Sequence, residues 1–215
     1  MSSYDNYCRI QKLAGEAAAK GGFSPAGVRV LAVTKNQSAD VIAELYNSGI
    51  KEFAENRIHV LEEKAKILPQ DIVWHFIGKI QSNKVRKVIK IAKVLHSVDS
   101  SELLSRIDRI SGEEGVSPEI FIEVNVSGEA SKSGVNISEV NSMLSIPLKH
   151  AKVCGLMTMA PFDSTEEEQK AIFSSLKKCA TANDLTELSM GMTNDYQAAA
   201  ECGSTILRIG TAIFE

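Results

Sequence analysis

"RVLAVTKNQSADVIAELYNSG", residues 29–49, decides how the rest of the chain is read. Its first half is an apolar, β-branched run of the kind a strand buried on both faces needs, and it stops at Lys35. Its second half sets Val41, Ile42 and Leu45 on one helical face, behind Ser38 as a capping residue and ahead of Gly49, where a left-handed residue closes a helix. A strand followed at once by a helix is half of a parallel crossover, since parallel neighbours need a connection long enough to return to the same edge.

The unit recurs along the chain. Strands are predicted at "RVLAVTK" (29–35), "EFAEN" (52–56), "VWHFIG" (73–78), "VLHSVD" (94–99), "IFIEVNV" (120–126), "VCGLMTM" (153–159), "LSMGM" (188–192) and "ILRIGT" (206–211). Helices lie between them. Ser82 is expected to cap one that presents Val85, Val88 and Ile89, and Thr165 with Glu168 has the spacing of a capping box. "TNDYQAAAECG" reads as a short helix that opens on Thr193 or Asn194 and stops at Gly203. Alternation of this kind leaves an open doubly wound sheet or a closed barrel, and the strand count favours a (β/α)8 TIM-type barrel. Such barrels run to about 250 residues with a floor of roughly 200, so 215 residues imply short loops. Too little chain follows Thr211 for a full eighth helix. An extra N-terminal helix carrying Tyr7, Ile10, Leu13 and Ala17 is expected to fill that place, in one domain spanning residues 1–215.

Composition narrows the function classes. With 44% hydrophobic and 24% charged residues the chain is that of an ordinary globular protein, and a net charge of −3 without long blocks of one sign asks for no nucleic acid. Lys84, Arg86, Lys87, Lys90 and Lys93 share one helix, but no aromatic residues are interleaved, so they read as a solvated face. The four cysteines are far apart and lack C-x-x-C spacing, which argues against a disulfide framework or a zinc ribbon and for buried thiols in a reducing compartment. Neither a signal segment nor an apolar run of spanning length is found, so a cytoplasmic protein with no membrane contact is expected. The four histidines show no metal spacing, and His75, between Trp74 and Phe76, reads as a core or lumen histidine.

In a barrel the C-terminal strand ends share one face, and function is built there. Those ends place Lys35, Asn56, Asp99, Asn125, the stretch Ser189 to Thr193, and Arg208 to Thr211 together. A lysine held neutral by desolvation attacks carbonyls, either those of a substrate, as in a Schiff-base aldolase acting on phosphosugars, or that of an aldehyde cofactor; the structural alternative is a lysine snorkelling to solvent. "SMGMTND" and "RIGTAIF" combine glycines with hydroxyls in the two loops where barrels often bind phosphate, although Gly191 and Gly210 could equally serve tight turns. Arg208 inside an apolar strand needs acceptors, from a carboxylate such as Glu55 or Glu123 or from a heteroaromatic ring nitrogen. Pyridoxal phosphate presents an aldehyde, a phosphate and a pyridine nitrogen at once.

In order and spacing, "LAVTK", "WHFIGKIQSNK", "NVSGEASKSGV", "GLMTM", "LSMGMTND" and "GSTILRIGTAIF" resemble the YggS/PROSC family of pyridoxal phosphate homeostasis proteins over nearly the whole chain. The family pattern differs at Ala54, at Lys79 and Ile80, and at the terminal Glu215. The resemblance implies the barrel of alanine racemase's N-terminal domain without its second domain. It implies that Lys35 holds the cofactor as an internal aldimine, that Asn56 belongs to the site, that Ser189, Gly191, Thr193, Gly210 and Thr211 lie on phosphate-cradling segments, and that Arg208 faces the pyridine nitrogen. It further implies a monomeric carrier or buffer serving pyridoxal-phosphate-dependent client enzymes, rather than an amino-acid racemase. An arginine at that nitrogen keeps it unprotonated, and Tyr4, Tyr7, Tyr46 and Tyr196 all fall on predicted helices, away from any strand end.

Overall fold

The computed structural model describes residues 2–129 and 133–215; Met1 and, within "NVSGEASKSGV", Ala130, Ser131 and Lys132 lie outside the described residues. The strands are β1 (Arg29–Val33), β2 (Glu52–Glu55), β3 (Val73–Phe76), β4 (Ala92–Val98), β5 (Glu119–Asn125), β6 (Val135–Asn136), β7 (Lys152–Met157), β8 (Glu187–Ser189) and β9 (Ile206–Ile209). β6 is a two-residue addition beside the end of β5. The others pair in parallel in the order β4-β3-β2-β1-β9-β8-β7-β5, and β4 pairs with β5 to close the ring. The expected (β/α)8 barrel is therefore formed.

The helices are α1 (Ser3–Lys20), α2 (Ala39–Asn47), α3 (Ile58–Ile67), α4 (Val85–Ile89), α5 (Ser101–Glu114), α6 (Val140–Leu144), α7 (Glu166–Ala182), α8 (Tyr196–Glu201) and α9 (Thr211–Phe214). Ser38 and Thr165 cap α2 and α7 as their spacing predicts, Thr165 in a reciprocal pair with Glu168. α1 occupies the place of the missing outer helix beside β1 and the one-turn α9. Its Tyr7 hydroxyl donates to Val30 O at 2.9 Å, Gln11 Nε2 to Val28 O at 2.8 Å and Asn6 Nδ2 to Ile213 O at 3.1 Å. A helix that came first in the chain thus closes a gap left at its end.

Side-chain alternation along the strands builds two layers. Leu31, Val33, Ala54, Val94, Phe121, Met157 and Ile206 fill the lumen. Val30, Ala32, Phe53, Trp74, Ile120, Ile122, Leu188 and Leu207 face outward against the helices. Full burial of one such side chain contributes about 1.5–3 kcal/mol, and β1, buried on both faces, gains on each.

Local expectations fail at four places. Ser82 caps nothing: its carbonyl takes Arg106 Nε at 2.8 Å, and α4 opens on Lys84 without a side-chain cap. The helix expected from Thr193 or Asn194 begins at Tyr196, because the Asp195 carboxylate first closes a turn on the Met192 N–H. Lumen packing is expected of the strand-end methionines Met157, Met159, Met190 and Met192, but only Met157 is among the buried lumen residues; Met190 is in the outer layer and Met159 is exposed. The thiols are free as expected but none is buried: Cys154, Cys179 and Cys202 are half-buried, and Cys8 is exposed because it lies on the solvent side of α1.

Candidate functional site

The alternation that puts Leu31 and Val33 in the lumen gives Lys35 the same side, one step above Val33 at the end of β1. Asn56 stands in the same relation to Ala54 on β2, and Ala54 is in register with Val33. On the other flank Leu31 is in register with Arg208 and Ala32 with Ile209. Lys35, Asn56, Arg208 and Gly210 therefore share the mouth of one barrel sector. Lys35 lies in a turn and is exposed, so the desolvation expected of it is absent; the strand stops at Val33 and leaves its side chain on the rim. Its carbonyl accepts from Arg57 Nη2 at 3.0 Å.

Asn56 is half-buried, and its Oδ1 is one of the buried polar atoms without a partner among the described residues. A buried acceptor left unpaired is costly, and it marks a place where a donor is missing. Gly78, in the loop after β3, packs on the Asn56 backbone so closely that a Cβ there would stand 2.0 Å from Asn56 O.

Arg208 is buried in the lumen. Its Nη1 donates to Ser189 O at 2.7 Å and Ser189 Oγ at 2.6 Å, and its Nη2 to Thr158 O at 3.1 Å. All are neutral acceptors. The carboxylate partner weighed for it is therefore absent: Glu55 faces outward to Lys64, and Glu123, although buried, makes no ion pair with Arg208. Burial pulls the guanidinium down to about 10, with Asp195 and Glu123 acting at a distance in the opposite sense. Burial also raises Glu123, with Asp99 adding to the effect, and Asp195.

Ser189 is fully buried, and its hydroxyl is committed to Arg208 and to His96 Nδ1 at 2.8 Å. Its side chain thus lies beneath the loop that was expected to cradle phosphate, because β8 turns Ser189 into the lumen. Gly191 is required by its own backbone, at φ 97°, and by the approach of Ala199, which a Cβ would meet at 2.6 Å. The tight-turn reading accounts for this glycine. Arg208 N donates to Gly191 O at 2.9 Å, which fixes the loop after β8 beside the loop after β9. Within these loops the N–H groups of Thr193, Asn194 and Gly210 have no acceptor among the described residues. Thr193 is half-buried, Thr211 is exposed at the start of α9, and a Cβ on Gly210 would come within 3.3 Å of Val33 O.

Two features escaped the sequence. Lys64 Nζ, buried outside β1 and β2, pairs with Glu55 and donates to Thr34 O at 2.7 Å. His96, never singled out, stacks on Phe121 at 4.6 Å between centroids and links to His75. Alternation could have marked His96 as facing the lumen, two residues after Val94. The basic stretch does not share one helix: only Arg86 and Lys87 lie on α4, Lys84 and Lys90 flank it, and Lys93 is on β4, because the chain turns into the strand at Ala92. Arg86 pairs with Glu113 and Glu114, Lys87 with Glu62 and Lys90 with Glu114.

Comparison with known proteins gives the following likenesses. Residues 16–215 match the alanine racemase N-terminal domain family. The pyridoxal phosphate homeostasis protein of Synechocystis sp. is 40% identical over 202 residues, covering 88% of this chain and 92% of that protein. The protein of the same name from Aquifex aeolicus is 32% identical over 100% of this chain and 98% of its own length. The structure of PipY of Synechococcus elongatus with PLP bound is similar at a TM-score of 0.81 and 35% identity, covering 94% of this chain and 100% of that one.

Proposed function

The chain belongs to the family of pyridoxal phosphate homeostasis proteins, built on the alanine racemase N-terminal domain, and we propose from this that it binds pyridoxal phosphate at the barrel mouth as a carrier and buffer of the cofactor. The observation that carries the reading is the set of unmatched polar groups on one sector of the rim: an exposed amine, an orphaned amide oxygen, a buried guanidinium without a carboxylate, and three N–H groups without acceptors. That donor set fits the group. When bound, pyridoxal phosphate supplies an aldehyde that condenses with amines and a ring that takes up electrons.

Lys35 offers the amine. Arg208, reaching up from beneath, offers a donor to the ring nitrogen, and a permanently charged donor leaves that nitrogen without its own proton. Asn56 Oδ1, on the β2 flank of Lys35, accepts from the ligand. The N–H groups of Thr193, Asn194 and Gly210, with the hydroxyls of Thr193 and Thr211, hold the phosphate, as unpaired backbone donors hold anions elsewhere. Gly191 shapes this nest, and Ser189 supports it from below.

Carriage without amino-acid turnover is supported by the placement of the tyrosines. Tyr4 and Tyr7 are on α1, Tyr46 is on α2 bonded to Asp71, and Tyr196 begins α8, so none of the four stands on a strand end as a second base. None of the described helices is long and apolar enough to cross a membrane. The reading is of a cytoplasmic monomer that supplies client enzymes. Uptake of pyridoxal phosphate by the wild-type protein should give a visible yellow band, and borohydride followed by peptide mapping should fix the label at Lys35. Label on another lysine moves the attachment. Solvent-deuterium exchange at the Cα of added alanine, at rates typical of enzymes, would favour the racemase instead.

A further inference from the structure

The lumen holds more hydrogen-bonding groups than retention of a cofactor needs. Beneath Arg208 and Ser189, His96 Nε2 lies 2.9 Å from His75 Nδ1, and His75 Nε2 lies 3.4 Å from Glu52 Oε2. Together with the 2.8 Å link from His96 Nδ1 to Ser189 Oγ and the 2.6 Å link from Ser189 Oγ to Arg208, five side chains run from the lower rim to the guanidinium. β4 and β8 are not neighbours in the ring, so the His96 to Ser189 link crosses the lumen.

We propose that His75, His96, Ser189 and Arg208 form one polarised hydrogen-bond chain, oriented at its lower end by the Glu52 carboxylate, in which the two histidines are positioning residues that hold Ser189, and through it Arg208, toward the ring nitrogen of the bound cofactor. The effect on the cofactor rests on the pyridoxal phosphate reading; the chain itself does not.

The two ends fix its direction. Arginine only donates, and an ionised carboxylate only accepts. Ser189 Oγ takes the Arg208 proton donor and spends its own proton on His96 Nδ1. His96 therefore carries its hydrogen on Nε2 and donates to His75 Nδ1, which leaves His75 with its hydrogen on Nε2, pointing at Glu52. The reverse sense would set a nitrogen lone pair against a carboxylate. Glu52 is kept ionised, its pKa lowered by the His75 contact and then by Arg29.

Both imidazoles are buried, and a charged ring would put an N–H against another donor. Burial lowers both rings. For His96, His75, Arg208 and Arg29 act in the same sense, while for His75, Glu52 and Glu119 oppose burial and Arg29 assists it. Stacking on Phe121 holds the His96 plane. The contact from His75 to Glu52 is close enough for an ion pair but not aligned as a hydrogen bond, so it is the loosest joint in the chain.

Nitrogen-15 spectra of the imidazoles in protein free of pyridoxal phosphate read the tautomers directly. Both rings should be neutral with hydrogen on Nε2 between about pH 6 and 8. Hydrogen on Nδ1 of either ring, or a charged ring at neutral pH, overturns the chain. In protein loaded with pyridoxal phosphate, His96→Leu should weaken retention about tenfold and shift the visible band. His96→Asn keeps an acceptor where Nδ1 stood and should restore both to within about threefold. An unchanged band and affinity in His96→Leu refutes the positioning role. If that variant does not fold, Ser189→Ala breaks the same link without touching the ring, and an unchanged band there refutes it equally. Wild-type protein that takes up no pyridoxal phosphate overturns the cofactor reading, and the positioning role with it, while the tautomers still decide the chain.

Discussion

Two lysines lie on opposite faces of the wall made by β1 and β2. Lys64, from α3, is buried outside the barrel, paired with the fully buried Glu55 and bonded to the carbonyl of Thr34. Lys35 follows Thr34 in the chain, stands on the rim, and is exposed with no carboxylate partner among the described residues. The first has every reason to be there that folding can give. The second has none. The charge of Lys64 is neutralised by the fold, whereas that of Lys35 is left unmatched, as the proposed ligand role requires, and Arg208 repeats the second pattern inside the lumen with neutral acceptors only among the described residues.

Exchanging the roles of the lysines by mutation tests this contrast. Lys35→Ala should abolish the yellow band of the loaded protein while leaving the urea midpoint nearly unchanged; an unfolded or unchanged protein breaks the comparison. Lys64→Ala should do the opposite, destabilising the fold by about 3–5 kcal/mol in urea titration, because Glu55 is left buried without a counter-charge, with only the Thr34 hydroxyl and the Asn56 N–H beside it. Should Lys64→Ala lose the ligand at full stability, the buried pair would belong to the site instead.

Smaller effects sharpen it. Arg208→Gln removes the charge and shortens the side chain, which leaves acceptors among Ser189 and Thr158 unpaired, so stability should fall by about 1–3 kcal/mol while cofactor retention, followed by dialysis and absorbance, falls about tenfold. Gly210→Ala adds a methyl 3.3 Å from Val33 O, so a weakening of about threefold is expected from phosphate competition assays.

The least effect should come from Glu52. Its pKa is lower folded than unfolded, so the stability it adds is present above the ordinary carboxylate value and is lost as pH falls through the lower folded one. Glu52→Gln should therefore flatten the acid arm of a stability-versus-pH curve by less than about 1 kcal/mol, since the side chain is 41% exposed. A loss of stability confined to acid pH, with none at neutral pH, would contradict that sign.

Much of this contrast was legible before the fold was known. The run that ends at Lys35, the glycine-rich ends of the last two strands and Arg208 within an apolar strand all reported which residues reach the mouth, because alternation fixes the face of a strand residue. Gly191 and Ser189 were legible as residues but not as roles: one answers to a left-handed backbone and the approach of Ala199, the other lies under the nest in contact with His96. The helix start near Thr193 was misplaced because a side chain, Asp195, competes for the first turn.

By itself the sequence determined the repeating strand and helix unit, its eightfold count and the set of polar groups aimed at one rim, since these depend on periodicity and turn chemistry within a few neighbouring residues. Only the tertiary structure decided that Glu55 meets Lys64 and that His96 reaches Ser189 across the lumen. The first joins a strand to the helix packed on its outer face, 9 positions on; the second joins residues 93 positions apart and exists only once the ring has closed and its stagger has set which levels face each other.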